Sequence, residues 1–135
     1  MKKIALFLVL MTTLLSCSVD EPDRYTNYIL PIESYVMPET FTKNGMYEIK
    51  LKYQKPTACY NYRGIYYYSE NSTRTVAIYA DVKEGEVCSD ALPPLSEVSF
   101  NFTPTTAGTY TFKFYKGPDE EGKDKFEEVE ITVAE

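Results

Sequence analysis

The sequence predicts an all-β fold in which two antiparallel sheets pack face to face. Apolar and polar side chains alternate with period two in several short segments, as they do on half-buried strands. Turn-forming residues separate these segments at intervals of about 8–12 residues. No segment after residue 16 has a convincing helical pattern. We therefore predict one β-sandwich domain of seven strands over residues 29–135.

The predicted strands follow one another with short breaks. The clearest is residues 46–53, where Glu48, Lys50 and Lys52 occupy one face and apolar side chains occupy the other. Gly64 interrupts a tyrosine-dense segment, which predicts a β-bulge at that position. The segments on either side of the polar turn at residues 69–73 should form a hairpin. The seven predicted strands cover residues 32–36, 46–53, 59–68, 74–82, 96–102, 109–115 and 126–133.

The stretch from residue 104 to residue 115 predicts a tight corner that leads into a strand. Gly108 supplies backbone freedom at the corner. Tyr110, Phe112 and Phe114 then fall on one face at period two. This Gly-x-Tyr corner resembles the penultimate strand of immunoglobulin-like sandwiches. The resemblance implies an immunoglobulin-like fold in which the Tyr110 hydroxyl bonds to the backbone of the corner.

Residues 1–16 have the pattern of an export signal. A basic start precedes an apolar core of about 12 residues, which is too short for a membrane span of about 20 residues. The sequence Leu14-Leu15-Ser16-Cys17 resembles the lipobox of bacterial lipoproteins. That resemblance implies cleavage before Cys17, which then carries acyl chains such as palmitate and anchors the protein. The alternative is an ordinary secretory signal that happens to end beside a cysteine.

The residues after Cys17 bear on where such a lipoprotein would reside. Lipoproteins kept in the inner membrane often carry Asp where this chain has Ser18, which favours the outer membrane. Asp20 and Glu21 resemble the acidic export signal of surface-displayed lipoproteins in the Bacteroidetes. We expect an outer-membrane location, on the periplasmic face or the cell surface. Residues 17–28 are polar and acidic, so we predict a flexible tether there.

The charge of the chain excludes some partners. Removing Lys2 and Lys3 with the signal leaves 12 of the 14 basic side chains against 20 acidic ones, a net charge of −8. Such a surface is unsuited to nucleic acid or to an anionic membrane. The predicted contact with the membrane is therefore the lipid on Cys17 alone.

Two cysteines remain once Cys17 is assigned to lipid. Cys59 lies at the start of one predicted hairpin strand, and Cys88 lies just past the end of the other. Both fall near the open end of the hairpin, so in an exported protein a disulfide is the expected state. The alternatives are two buried free thiols or a redox pair. A redox pair usually occupies a Cys-x-x-Cys helix start, which is absent.

The order of these motifs looks like a group of small, largely uncharacterised Bacteroidetes lipoproteins. The resemblance covers residues 46–133 and rests on the cysteine pair, the Gly64 hairpin and the Gly108 corner. These motifs are structural. The resemblance therefore implies a fold and a location, and it transfers no catalytic residue.

Enzymatic and metal chemistry find little support in the sequence. The chain has no histidine, which excludes the common Ser-His-Asp, Cys-His and HExxH sites. It also has no glycine-rich phosphate loop. Residues 119–124, Asp-Glu-Glu-Gly-Lys-Asp, could offer oxygens to Ca²⁺ but lack the alternating ligands of a strong calcium loop. We predict no catalytic residue, no metal site and no cofactor.

Tyrosines are the candidate binding residues. If Gly64 does not shift the strand register, Tyr60, Tyr62, Tyr66 and Tyr68 share one face, and Tyr67 lies on the other with Ile65. Exposed aromatic rings suit sugar faces and protein partners. The alternative is that these rings pack in the core, because the chain has 13 tyrosines and no tryptophan.

The predicted function is non-enzymatic. We expect a membrane-anchored binding or interaction module at the bacterial envelope, contacting a protein partner or an envelope assembly. The alternative is a glycan-binding surface lipoprotein of a nutrient-uptake system. Tyrosines that line a groove would favour a glycan, and a flat apolar patch would favour a protein.

Overall fold

The computed structural model describes residues 17–135 and folds most of them into strands. The predicted signal peptide, residues 1–16, lies outside the described residues. The strands form two sheets, one of six strands and one of three. Their bounds are β1 Tyr25–Leu30, β2 Ser34–Val36, β3 Phe41–Thr42, β4 Tyr47–Tyr53, β5 Asn61–Glu70, β6 Thr73–Lys83, β7 Ser96–Phe102, β8 Gly108–Pro118 and β9 Asp124–Ala134.

The prediction of an all-β sandwich is confirmed, and the predicted count of seven strands is wrong. The two additional strands are β1 and β3. Only Leu30 is buried in β1, so this strand has no alternating pattern to mark it. The two residues of β3 are too few to produce a pattern at all. Both are held by pairing with distant strands, which a local reading of the sequence cannot detect.

The large sheet has the order β1-β6-β8-β9-β3, and β5 also pairs with β6. The predicted hairpin of β5 and β6 is confirmed. The prediction of purely antiparallel sheets is wrong, because β6 pairs with β8 and β3 pairs with β9 in parallel. These parallel pairs join strands far apart in the chain, whereas the short turns visible in the sequence connect only antiparallel neighbours.

The small sheet has the order β2-β4-β7. Its central strand, β4, buries Ile49, Leu51 and Tyr53 against the large sheet, as the alternation predicts. From the large sheet, β8 contributes Phe112 and Phe114, both completely buried. The space between the sheets is therefore filled largely by aromatic and branched side chains, which burial removes from water.

The corner before β8 has the predicted tyrosine contact. The Tyr110 hydroxyl lies 3.3 Å from the amide nitrogen of Thr106 and 2.9 Å from its hydroxyl oxygen. Gly108 has a φ of 121°, a backbone conformation that side-chain-bearing residues rarely adopt. The hydroxyl and the glycine together fix the direction in which β8 leaves the corner.

The ordered sheet begins earlier than the predicted domain start at residue 29. β1 starts at Tyr25, inside the range predicted as tether, and pairs with β6 along its whole length. Before β1, Asp23 forms an ion pair of 2.8 Å with Lys83. The Arg24 carbonyl also accepts a backbone hydrogen bond from Glu84. In the described part of the chain, residues 17–22 precede this ion pair.

Cys59 and Cys88 form a disulfide, with their Cα atoms 5.8 Å apart. Cys59 is buried just before β5, and Cys88 follows β6 after a short loop. The bond therefore closes the open end of the β5–β6 hairpin, where the sequence predicts it. Cys17 is exposed and has a free thiol.

Candidate functional site

A β-bulge in β5 decides where its tyrosines point. Tyr62 pairs with Ala80 and Gly64 pairs with Tyr79, so Arg63 is an extra residue in the strand. This extra residue reverses the alternation of faces after it. The predicted bulge at Gly64 is confirmed, so the condition under which four tyrosines would share one face is not met.

Three of the predicted tyrosines face the space between the sheets. The ring of Tyr62 lies 6.3 Å from that of Tyr53, and the ring of Tyr67 lies 5.6 Å from that of Phe100. Burial raises the pKa of both hydroxyls above the usual value, and for Tyr67 Arg74 offsets part of the effect. Tyr60 packs against Tyr28 at 5.1 Å. Tyr62 and Tyr67 are nevertheless 41% and 42% exposed, so their rings lie at the open edge of the space between the sheets and are only partly buried.

Tyr66 and Tyr68 point the other way, to the outer face of the large sheet. Tyr66 pairs with Ala77 and Tyr68 with Thr75, and the two rings are 44% and 52% exposed. Tyr66 forms one wall of a groove of about 330 Å³, which we call the outer groove. The outer groove is lined by Ile29, Tyr66, Thr75, Ala77, Tyr115, Asp124 and Phe126.

The outer groove exists because two strands share one side of β6. β1 pairs with residues 78–83 of β6, and β8 pairs with residues 73–76 on the same side. Ala77 lies between these two pairings and, in the described part of the chain, has a register partner only on β5. Ala77 is 2% exposed as a residue and forms the floor of the groove. A small side chain at the junction of two strands thus leaves a depression among larger ones.

The walls of the outer groove come mainly from the β8–β9 hairpin. Tyr115 pairs with Phe126 across the two strands, with ring centroids 5.8 Å apart. Burial raises the pKa of the Tyr115 hydroxyl, and the nearby Asp124 carboxylate raises it further. Lys113 places its Nζ 4.7 Å from the centroid of the Phe126 ring. Aromatic walls, a carboxylate and hydroxyl groups therefore converge on one depression.

The acidic loop at residues 119–124 forms the tip of the β8–β9 hairpin. The Asp119 carboxylate accepts hydrogen bonds from the backbone amides of Glu121 and Lys123, at 2.8 and 2.9 Å. One of its oxygens is thus engaged in shaping the turn. Within residues 17–135, no group of three or more His, Cys, Asp or Glu side chains is placed to hold a metal ion.

Of the residues that line the outer groove, only Tyr66 is among the binding residues that the sequence predicts. Tyr115 and Phe126 both fall on outward positions of predicted strands that follow one another in the chain. Two outward aromatic residues that pair across a hairpin could have indicated a binding surface there. Ile29 lies in a segment predicted to precede the first strand. Ala77 gives no local signal, because its role depends on where β1 ends and β8 begins.

A protein-family model matches residues 49–132, from within β4 to within β9, and its description is ORF11 beta-sandwich domain. The chain belongs to the ORF11 beta-sandwich domain family. The match covers most of the outer groove and leaves β1, with Ile29, outside it. No curated protein and no solved structure matches this chain. Among residues 17–135, no helix is both long enough and apolar enough to cross a bilayer.

Proposed function

We propose that this protein is a lipid-anchored, non-enzymatic binding module of the bacterial envelope, and that its outer groove binds a carbohydrate. The observation that carries the proposal is the set of aromatic walls, Tyr66, Tyr115 and Phe126, around the floor at Ala77. The flat apolar faces of a sugar ring pack on aromatic rings. Sugar hydroxyls can bond to the Asp124 carboxylate and the Tyr115 hydroxyl. The sequence alone favours a protein partner, and the groove favours the glycan alternative.

The charge around the outer groove favours a neutral glycan. Asp124 lines the groove, and the chain without the predicted signal has 12 basic and 20 acidic side chains, a formal net charge of −8. A polyanionic sugar would be repelled by both, since like charges raise the free energy of a complex. The volume of about 330 Å³ lies at the lower end of small-ligand sites, so we expect it to hold a short section of a chain.

Replacing Tyr66 or Phe126 with alanine should weaken glycan binding by about tenfold or more, because each change removes an aromatic wall. The full chain is first applied to an array of neutral and acidic oligosaccharides. The best ligand is then titrated calorimetrically against each variant. Tyr68→Ala is the matched control, because Tyr68 lies on the same face outside the groove and its loss should leave the affinity unchanged. Failure to bind any glycan, or equal affinity in all variants, would disprove the proposal.

A protein partner is the second candidate, supported by a different feature of the outer face. Tyr25, Ile29, Tyr66, Tyr68 and Tyr79 expose apolar surface on β1, β5 and β6 of the large sheet. Large exposed aromatic side chains often mark protein contacts. Capture of an envelope protein by the wild type and its loss in Tyr79→Ser, with glycan binding absent, would support this candidate over the first.

We also propose that Cys17 is acylated and anchors the domain to the outer membrane. The lipobox resemblance supports this, together with an exposed Cys17 thiol and a short polar segment before the first contact at Asp23. Several acyl chains would make the anchor durable, at about 0.8 kcal/mol per buried methylene.

The Bacteroidetes resemblance and Ser18 support an outer-membrane location. The Tyr110 corner supports an immunoglobulin-like subtype of the sandwich.

Replacing Cys17 with alanine should move the protein from the membrane fraction to the soluble fraction, since no acyl chain can then be attached. Fractionation with immunoblotting measures the distribution, and mass spectrometry of the wild type should show the acyl mass on Cys17. Ser18→Ala serves as the control and should remain in the membrane fraction. Retention of the Cys17→Ala protein in the membrane would contradict the proposed anchor.

A further inference from the structure

Strand β5 has one side without a partner in the described part of the chain. It is ten residues long and pairs only with β6. Every second residue of an antiparallel strand directs its N–H and C=O away from the neighbour it pairs with. The free side of β5 therefore presents a row of backbone donors and acceptors that an extended strand could satisfy.

The free side of β5 is weakly protected against such pairing. Exposed sheet edges are usually blocked by charges, proline or bulges. In β5 the bulge and the charged Arg63 come early, and residues 65–69, Ile-Tyr-Tyr-Tyr-Ser, contain no charge and no proline. These residue types favour strand pairing. The part of β5 after the bulge is thus suited to accept another strand.

The charge distribution points to a second copy of this chain as the occupant. Two copies repel over most of their surface, because the chain has a formal net charge of −6. β5 is locally neutral, since it carries only Arg63 and Glu70. Two copies could therefore approach along this edge with less repulsion than elsewhere. The tyrosines of β5 in one copy could also pack against the same tyrosines of the other copy.

We propose that β5 pairs with β5 of a second copy, antiparallel and about a two-fold axis at Tyr67. Opposed residues of paired strands must have their side chains on the same face of the sheet. An axis between two neighbouring residues would pair residues from opposite faces, so the axis must pass through a residue. Residues 64–70, which follow the bulge, are centred on Tyr67. This register places Tyr66 opposite Tyr68 of the second copy, twice by symmetry. It places Gly64, beside Arg63, opposite Glu70 of the second copy.

The proposed pairing also covers apolar surface between the two sheets. A slot of about 400 Å³ opens beside β5, and its lining includes Ile65, Tyr67 and Phe100. A second β5 extends the large sheet over the mouth of this slot and brings its own Tyr67 alongside. The two-fold axis is perpendicular to the sheet, so the outer grooves of both copies open on the same side. The pairing itself does not rest on the proposed glycan function.

The first test measures the molecular mass in solution of the full chain carrying Cys17→Ser. This substitution removes the predicted lipidation site and the one cysteine outside the disulfide. Analytical ultracentrifugation from about 1 to 100 µM should detect a dimer. Tyr68→Lys should raise the dissociation constant about tenfold or more, because it removes the Tyr66–Tyr68 pairs and places two lysines near each other. Tyr79→Lys, on β6 away from the edge, should not change it. A monomer at all concentrations, or a dimer unaffected by Tyr68→Lys, would overturn the proposal.

The second test fixes the register. In the Cys17→Ser background, Tyr67→Cys should give a disulfide-linked dimer on a non-reducing gel, because residue 67 faces itself across the axis at a distance that a disulfide can bridge. Ser69→Cys should link far more slowly, because residue 69 faces Ile65 of the second copy. Equal linking by the two variants would rule out the axis at Tyr67.

Discussion

Replacing both Cys59 and Cys88 with serine should lower the free energy of unfolding by about 3–4 kcal/mol. The disulfide joins residues separated by 29 positions, and this loop contains all of β5 and β6. In the chain-entropy model, the bond restricts the unfolded chain and so disfavours it. In this model the size of the effect follows from the length of the closed loop, which includes β6, the strand that pairs with β1, β5 and β8.

Chemical denaturation followed by circular dichroism measures this loss. The double serine variant keeps both side chains close in size to the originals, and the hydroxyl that it places at the buried position 59 adds to the loss. Cys17→Ser is the matched control, since Cys17 is exposed and outside the disulfide, and it should unfold at the wild-type midpoint. A loss below about 1 kcal/mol for the double variant would contradict the predicted contribution of the bond.

Replacing Phe112 with alanine should lower the free energy of unfolding by about 3–5 kcal/mol, because it leaves a cavity where the two sheets meet. The Phe112 side chain is completely buried. Its ring centroid lies 5.0 Å from that of Phe102 in the small sheet and 5.9 Å from that of Phe114 on the same strand. Truncation thus removes aromatic contacts within one sheet and between both sheets.

The same denaturation measurement tests this prediction. Thr109→Ala is the control, because Thr109 is an exposed residue of the same strand and its loss should change stability by no more than about 0.5 kcal/mol. If Phe112→Ala unfolded at the wild-type denaturant midpoint, the assignment of this ring to the centre of the core would be incorrect.

The sequence predicted those elements whose side chains carry a local pattern. Alternation in β4 separates Ile49 and Leu51 from the charged residues between them, and the structure buries them as expected. The cysteine pair and the Tyr110 corner depend on short motifs and were also predicted. β1 was missed because five of its six side chains are exposed, and its place depends on pairing with β6, 48 or more residues further along the chain.

The candidate site was predicted only in part, for two physical reasons. One extra residue, Arg63, determines which tyrosines of β5 face outward. The glycine is visible in the sequence, but the residue at which the strand pairing shifts is not. The groove floor at Ala77 arises where two strands far apart in the chain meet on β6. Tyr66 could therefore be predicted from the sequence, whereas Tyr115 and Phe126, which line the groove with it, required the folded arrangement.

If Cys17 is anchored as proposed, the position of β1 has a mechanical consequence. Tension on residues 17–22 would first load the Asp23–Lys83 ion pair and the Arg24 hydrogen bond, and then act along the axis of β1. The six register pairs between β1 and β6 lie side by side along that axis, and their hydrogen bonds are perpendicular to it. Such a load shears all of these pairs together instead of peeling them apart singly. Under the proposed anchoring at Cys17, β1 is thus oriented to resist tension that reaches the domain from its N-terminal end.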